Sequence, residues 1–300
     1  MALLSPAVVG MVSIFLAILW MLKDEKDKSR PLLVMALVIN LFYGFLLTIV
    51  MGREDSFLPW KYDPVLLRVD GSLGISSASI ALPLQGAWRI PLAVIYELLL
   101  PMMIFWFLII RETRLRKSLI IAYVAELVVG PMLYAIMPAC GPIYAFGAKW
   151  LHPPAVGLQA IRLGGMPNAF PSLHVGTAFV FVLFAQGKLW RGISLVFLFG
   201  TALATLATGE HYVVDLIPGL AFGCFAASVG FGKFRRALIY LAVVLFWSLA
   251  TRFESGILVG VPFLVRSMAL FTLVLVSWVL FESWRVLDSR IVCAMVAPVE

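Results

Sequence analysis

Nine stretches of mostly apolar residues run through the chain, at about 3–22, 31–51, 88–110, 118–138, 173–188, 192–208, 213–231, 237–251 and 259–282. About 18 or more such residues are what a helix needs to cross roughly 30 Å of hydrocarbon, where each backbone polar group must be satisfied within its own segment. One water-excluded core cannot absorb them all. Of 300 residues, 62% are hydrophobic and 13% charged, against about half and a quarter in soluble domains. The expectation is an all-α polytopic membrane protein with about nine transmembrane helices, forming a single integral membrane domain over 1–300. The first run is followed by a charged stretch from Lys23 to Arg30 rather than by a small-residue cleavage site, so it reads as a retained span.

A formal charge of +7 would suggest nucleic acid as partner in a soluble chain; here its distribution over the loops reads as orientation instead, because loops rich in Lys and Arg stay cytoplasmic. Alternate connections carry 15 basic residues, from Lys23 to Arg290, against 7 in the other set, with Arg266 left inside the last span. That imbalance puts the N-terminus outside and the C-terminus inside. The two long connections, roughly 52–87 and 139–172, then both lie outside, and chemistry is expected there. Within the first, Tyr62–Gly74 looks too short and charged to cross and reads as an interfacial amphipathic helix, with Asp63 and Asp70 on its solvated face. Cys140, Cys224 and Cys293 are far apart, with no metal spacing, so neither a disulfide framework nor a zinc site is indicated.

The three histidines are at 152, 174 and 211. His174 ends Pro171-Ser172-Leu173-His174, where a helix start leaves backbone N–H groups aimed outward as a seat for an anion such as phosphate. His211 lies in Gly209-Glu210-His211-Tyr212-Val213-Val214-Asp215, and the i, i+4 spacing to Asp215 stacks a carboxylate beside the imidazole. The 37 residues from His174 to His211 are close to the ~40 that cross and recross a bilayer at ~20 per span, which returns both rings to one side. Two histidines, a carboxylate and an anion seat at a membrane surface are parts for nucleophilic attack on phosphorus with protonation of a leaving oxygen. A lipid phosphate is the expected substrate.

Gly164-Gly165-Met166-Pro167-Asn168-Ala169-Phe170-Pro171-Ser172-Leu173-His174, followed by Gly209–Gly219, resembles the type 2 phosphatidic acid phosphatase superfamily over about 160–223. Pro-Ser-Leu-His with His-Tyr-x-x-Asp looks most like the branch containing fungal inositol phosphorylceramide synthase, with sphingomyelin synthases more distant. The resemblance implies a core of about six helices, His211 as a nucleophile forming a phosphohistidine, Asp215 as its orienting partner, His174 as the acid for the departing alcohol, and catalysis without metal or cofactor. The phosphatase branch carries a Ser-Arg pair with the arginine six residues before its last histidine, whereas this chain has Ala204-Thr205. The first phosphatase motif, Lys-x6-Arg-Pro, occurs as Lys23 to Arg30-Pro31, but the topology puts it on the cytoplasmic side, and it reads as a decoy. Missing cations favour transfer of a phosphate-bearing head group over hydrolysis. Simple lipid phosphate hydrolysis and non-catalytic head-group binding or transport stay open as alternatives, as does a facial metal triad of two imidazoles and a carboxylate.

Substrate-phosphate binding is then assigned to Ser172, Arg162, Asn168 and Gly165, with Arg266 a further candidate and Lys149 and Arg252 other outer cations. Arg162 is preferred because it precedes Gly164-Gly165, whose backbone can approach a phosphate closely. Each has a plainer reading: Ser172 as an ordinary helix cap, Asn168 as a turn residue after Pro167, Arg266 as a snorkelling cation. Glu210 either binds an acceptor alcohol or is a solvated flanking acid, and Tyr212 reads as an interface aromatic. His152 reads as a loop residue. Glu97 and Glu126, inside spans, either line a head-group cavity or bond neighbouring helices. The expected setting is a bacterial inner membrane with the site facing the periplasm.

Overall fold

The computed structural model describes residues 30–296 and residues 15, 16, 18 and 19; the expected span at 3–22 lies largely outside the described residues. The architecture is all-α. In chain order come α1 (Arg30–Phe57), the two-residue strand β1 (Trp60–Lys61), α2 (Asp63–Ser72), α3 (Ser77–Ala81), α4 (Arg89–Glu97), α5 (Leu99–Ile109), α6 (Thr113–Ile136) and α7 (Pro142–Phe146). After these follow β2 (Ile161–Arg162), α8 (Leu173–Phe184), α9 (Gly187–Ala207), α10 (Val213–Gly230), α11 (Phe234–Phe253), α12 (Ser255–Gly260) and α13 (Pro262–Val296).

Among the described residues five helices are long and apolar enough to cross a membrane, α6, α9, α10, α11 and the Pro262–Arg285 part of α13, or up to seven if each of two bent pairs is one span. Four of the nine runs are not among the five: that at 3–22 lies largely outside the described residues, that at 31–51 lies within α1, and the other two depart from a simple span. The apolar run at 173–188 forms only the 12-residue α8, buried almost wall to wall, so its hydrophobicity serves the protein interior. The run at 88–110 is broken into α4 and α5, bent by 56°.

The core is built around α10, which packs on α8, α6 and α11. Its small residues permit this. A Cβ at Gly219 would lie 2.6 Å from the Ser172 carbonyl oxygen, and one at Gly223, a turn further on, 2.5 Å from that of Gly176. Glycines four apart on one face of α10 therefore let two backbones touch, and the close approach sits directly beneath the Pro171–His174 segment.

The largest departure from expectation is the Tyr62–Gly74 stretch. It does not lie along an interface. As α2 it is packed inside the bundle against α10, α11, α12 and α13, with Asp63, Val65, Leu66, Val69 and Asp70 all at 0–1% exposure, and with α3 and the adjoining turn it forms a pair bent by 78°. Asp63 and Asp70, expected on a solvated face, are buried because they accept hydrogen bonds from backbone N–H groups of other segments. Sequence hydropathy registers the charge but not the partners that compensate it. At the other end of α2, Arg266 donates through Nε to the Ser72 carbonyl at 3.1 Å, a cation on the negative end of a helix.

Candidate active site

The turn after α9 presents His211. Gly209, at φ +77°, reverses the chain at a position where a side chain would be strained. The Thr205 carbonyl accepts from the N–H groups of Glu210 at 3.1 Å and His211 at 3.3 Å. Asp215, in the first turn of α10, accepts the Tyr212 N–H at 2.7 Å and thereby caps the helix it belongs to. Its own carbonyl accepts the Ser172 N–H at 3.1 Å, which stitches the start of α8 to the start of α10.

These links bring the two histidines together: the ring centroids of His174 and His211 are 5.7 Å apart, edge to face. His211 Nδ1 lies 2.8 Å from the Ala169 carbonyl oxygen. A carbonyl can only accept, so Nδ1 carries the proton and Nε2 keeps its lone pair. Asp215 Oδ2 is 3.5 Å from the same nitrogen, longer than an ordinary hydrogen bond. The tautomer is thus set first by Ala169 and only supported by Asp215. Burial, and after it the neighbouring His174, lower the His211 pKa to about 3, against an upward pull from the Ala169 carbonyl. The ring is therefore neutral, with Nε2 unprotonated.

Ser172 is fully buried and caps α8, its Oγ accepting the Val175 N–H at 3.4 Å. The N–H groups of Leu173 and His174 have no backbone acceptor among the described residues, which leaves the first turn of α8 open to an anion. The Asn168 and Ala169 N–H groups both donate to the Ala139 carbonyl at 2.9 Å, while Asn168 Oδ1 is buried with no hydrogen-bond partner among the described residues. Gly165 donates its N–H to Asp55 Oδ1 at 3.1 Å. Arg162 pairs through its backbone with Trp60 and has an exposed side chain. Arg266 is engaged with Ser72 and Arg252 donates to the Ile136 carbonyl, so neither guanidinium is grouped with the histidines. Position 205 is a fully buried threonine whose hydroxyl donates to the Ala202 carbonyl at 2.9 Å.

Several participants escape a sequence reading. Tyr96 of α4 stacks on His174, centroids 4.2 Å apart. Lys61 is a fully buried cation, paired with Asp55 at 2.9 Å and donating to the Leu58 carbonyl at 2.7 Å. Glu210 is only partly exposed and accepts from the Tyr144 hydroxyl at 2.9 Å. Burial raises its pKa, the Tyr144 hydrogen bond opposes that, and the nearby Glu97 carboxylate adds to the rise; Tyr144, desolvated beside Glu210, is pushed up to about 12. Tyr212, expected at an interface, is fully buried because its hydroxyl donates to Asp63 at 3.1 Å. Glu126 accepts from Thr177 at 2.8 Å, a bond between neighbouring helices. Cys140 and Cys224 are free buried thiols, and no group of three metal-ligating side chains occurs among the described residues.

The family model for the PAP2 superfamily, the type 2 phosphatidic acid phosphatases, matches residues 64–229, more than half of the chain and all of the histidine-bearing region. The chain belongs to the PAP2 superfamily. No curated protein and no solved structure matches it. Superfamily members are phosphatases and phosphotransferases acting on lipid phosphates, so this chain is an integral membrane enzyme of that general kind. The match reaches back to Pro64, well upstream of the two motifs, and takes in the bent pair that begins with α2.

Proposed function

We propose that this PAP2 protein is a phosphotransferase that moves a phosphate-bearing head group between lipids through a phosphohistidine on His211, in the manner of inositol phosphorylceramide synthase. The observation that carries the reading is the Nδ1 contact to the Ala169 carbonyl, which leaves Nε2 of a neutral ring free to attack. The donor phosphate docks on the open first turn of α8 at Ser172, with the Asn168 side chain and the Gly164-Gly165 segment alongside. Arg162 is the nearest uncommitted cation by sequence, and Arg266 is a reserve should its segment move. Nε2 bonds to phosphorus as the bond from phosphorus to the donor oxygen breaks. That oxygen leaves with its electron pair and takes a proton from His174; burial lowers the pKa of this imidazole to about 4, so it is the negative charge of the docked phosphate that holds the proton there. In the second half, an acceptor hydroxyl gives its proton to the now neutral His174 and attacks phosphorus, and the P–N pair returns to Nε2.

Transfer is favoured over hydrolysis by the absence of an arginine at position 205 and by the place of the Lys-x6-Arg-Pro match. α1 reaches the histidine end of the bundle through its C-terminal residues, since Asp55 bonds Gly165. Arg30 begins the same 28-residue helix, roughly 40 Å away at ~1.5 Å per residue. The distribution of basic residues supports an outer-facing, periplasmic site in a bacterial inner membrane.

The test is mass spectrometry with a phosphate assay on purified protein and on His211→Ala, given phosphatidic acid, phosphatidylinositol, diacylglycerol and ceramide. A new head-group-bearing lipid, absent with His211→Ala, is the expected result. Histidine-dependent free phosphate would make the enzyme a phosphatase. No turnover of the panel by wild type would count against both readings for these lipids.

A further inference from the structure

We propose that Asp63 of α2, helped by Asp70, is a positioning residue that holds His211 and the carbonyl that sets its tautomer in one fixed relation. The assignment rests on the reading of His211 as nucleophile and deepens it.

Four donors converge on the Asp63 carboxylate. Oδ2 accepts from the Cys140 N–H at 3.1 Å and the Cys140 thiol at 3.5 Å. Oδ1 accepts from the Gly141 N–H at 2.8 Å and the Tyr212 hydroxyl at 3.1 Å. These donors come from two different segments. Tyr212 adjoins His211. Residues 140 and 141 continue from Ala139, whose carbonyl holds the Asn168 and Ala169 N–H groups, and Ala169 is the residue whose own carbonyl meets His211 Nδ1. One carboxylate thus ties together the nucleophile's loop and the segment that supports the atom fixing its proton. Asp70, two turns along α2, repeats the device: Oδ1 accepts the Val214 N–H at 2.9 Å and Oδ2 the Ser77 N–H at 2.7 Å. Tyr212 and Val214 are thereby held by three carboxylates, those of Asp63, Asp70 and Asp215.

A buried carboxylate is costly unless each oxygen is satisfied, and charge-assisted hydrogen bonds are the stronger and shorter kind. Neither Asp63 nor Asp70 touches the histidines, and neither falls in the two motifs. Two buried carboxylates on an eight-residue interval of one short helix, with donors drawn from the histidine loop and its support, fit a role in holding reacting groups to within a fraction of an ångström.

The test compares Asp63→Asn, Tyr212→Phe and the double variant with a control, Thr272→Val, which removes a buried side-chain hydrogen bond to Trp247 on helices that carry neither histidine. Two readouts are taken: kcat and KM on phosphatidic acid in detergent micelles, and the 15N spectrum of histidine-labelled protein, in which only three residues contribute. Expected is a fall in kcat of roughly 10- to 100-fold with KM changed less than about 3-fold, in line with the cost of misplacing reacting groups. The His211 signal should move from a single Nδ1–H tautomer to a mixture. Because the two substitutions break the same bond, the double variant should be little worse than the worse single one. Unchanged kcat and an unchanged His211 tautomer in Asp63→Asn and Tyr212→Phe, or effects matched by Thr272→Val, overturn the proposal. Should Asp63→Asn not fold, Tyr212→Phe, which loses only a hydroxyl, carries the test. Should wild type turn over no lipid, the tautomer readout still decides the clamp while the functional reading fails separately.

Discussion

Replacing Gly219 by alanine tests whether the placing of the two histidines is set by backbone contact between α8 and α10. The new Cβ would stand 2.6 Å from the Ser172 carbonyl oxygen and 3.3 Å from the Ser172 Cβ. Ordinary van der Waals contact begins near 3.4 Å, so one backbone must retreat by about 0.8 Å. Neither atom is the far end of a flexible side chain: the chief obstruction is the carbonyl of Ser172, the residue before α8 begins. Overpacking of this kind costs about 1–3 kcal/mol, and the retreat is aimed at the segment carrying His174. A shift approaching 1 Å at the reacting groups costs roughly 100-fold in rate. Thermal unfolding in detergent and kcat on phosphatidic acid are measured beside Gly256→Ala, where a Cβ would meet nothing within 4 Å. The expected result is an unfolding midpoint several degrees lower, at about 2–4 °C per kcal/mol, and kcat down 10- to 100-fold, with Gly256→Ala near wild type. Wild-type stability and rate in Gly219→Ala would refute the packing account of how the site is assembled.

Other outcomes follow from the site. His211→Ala should abolish turnover and remove any acid-labile phosphoprotein. His174→Ala should retain phosphoenzyme formation from p-nitrophenyl phosphate, whose leaving group needs no proton, while losing lipid turnover by roughly 100-fold or more; equal loss on both substrates would count against His174 as the acid. Stability should also fall in acid. His211 titrates at about 3 when folded against an ordinary 6.5, so below pH 6.5 the unfolded chain binds the proton more readily, and stability drops by at most about 1.4 kcal/mol per pH unit down to about pH 3. His211→Phe should flatten that slope in detergent-solubilised protein, and an identical slope would exclude the ring as its source. Finally, turnover should survive EDTA treatment followed by gel filtration; loss of activity restored by a divalent ion would require a metal-dependent step.

Much of this molecule is legible in the order of its residues. Apolar runs locate the long helices because hydrocarbon imposes a length and a composition on any segment that crosses it, and α6, α9, α10 and α11 fall within a few residues of the runs that announce them. Hydropathy cannot separate a helix greased for lipid from one greased for protein, which is why the short, buried α8 reads as a span. The histidine pair is legible through local spacing and through the 37-residue interval that α8 and α9 fold out and back. Its finer geometry is not. Ala169 contributes a backbone carbonyl, which any residue has, and Tyr96 reaches His174 from a helix 78 positions upstream. Asp63 and Asp70 mislead for a related reason: a carboxylate is taken as solvated until the N–H groups that replace water are known, and those include ones 77 and 144 positions away, at Cys140 and at Val214 of α10.

The turn at Thr205 also bears on how such an enzyme can change over generations. Its carbonyl receives the N–H groups of Glu210 and His211, its hydroxyl is spent on Ala202, and its side chain has no exposure at all. An arginine there would have to find room for a long stem and a charged head in a filled interior, beside His211. Thr205→Arg alone would therefore not restore a usable motif cation. On the transfer reading proposed above, a descendant of this chain under pressure to hydrolyse would have to recruit its positive charge from another element, so the packing around one small residue acts as a ratchet on the lineage.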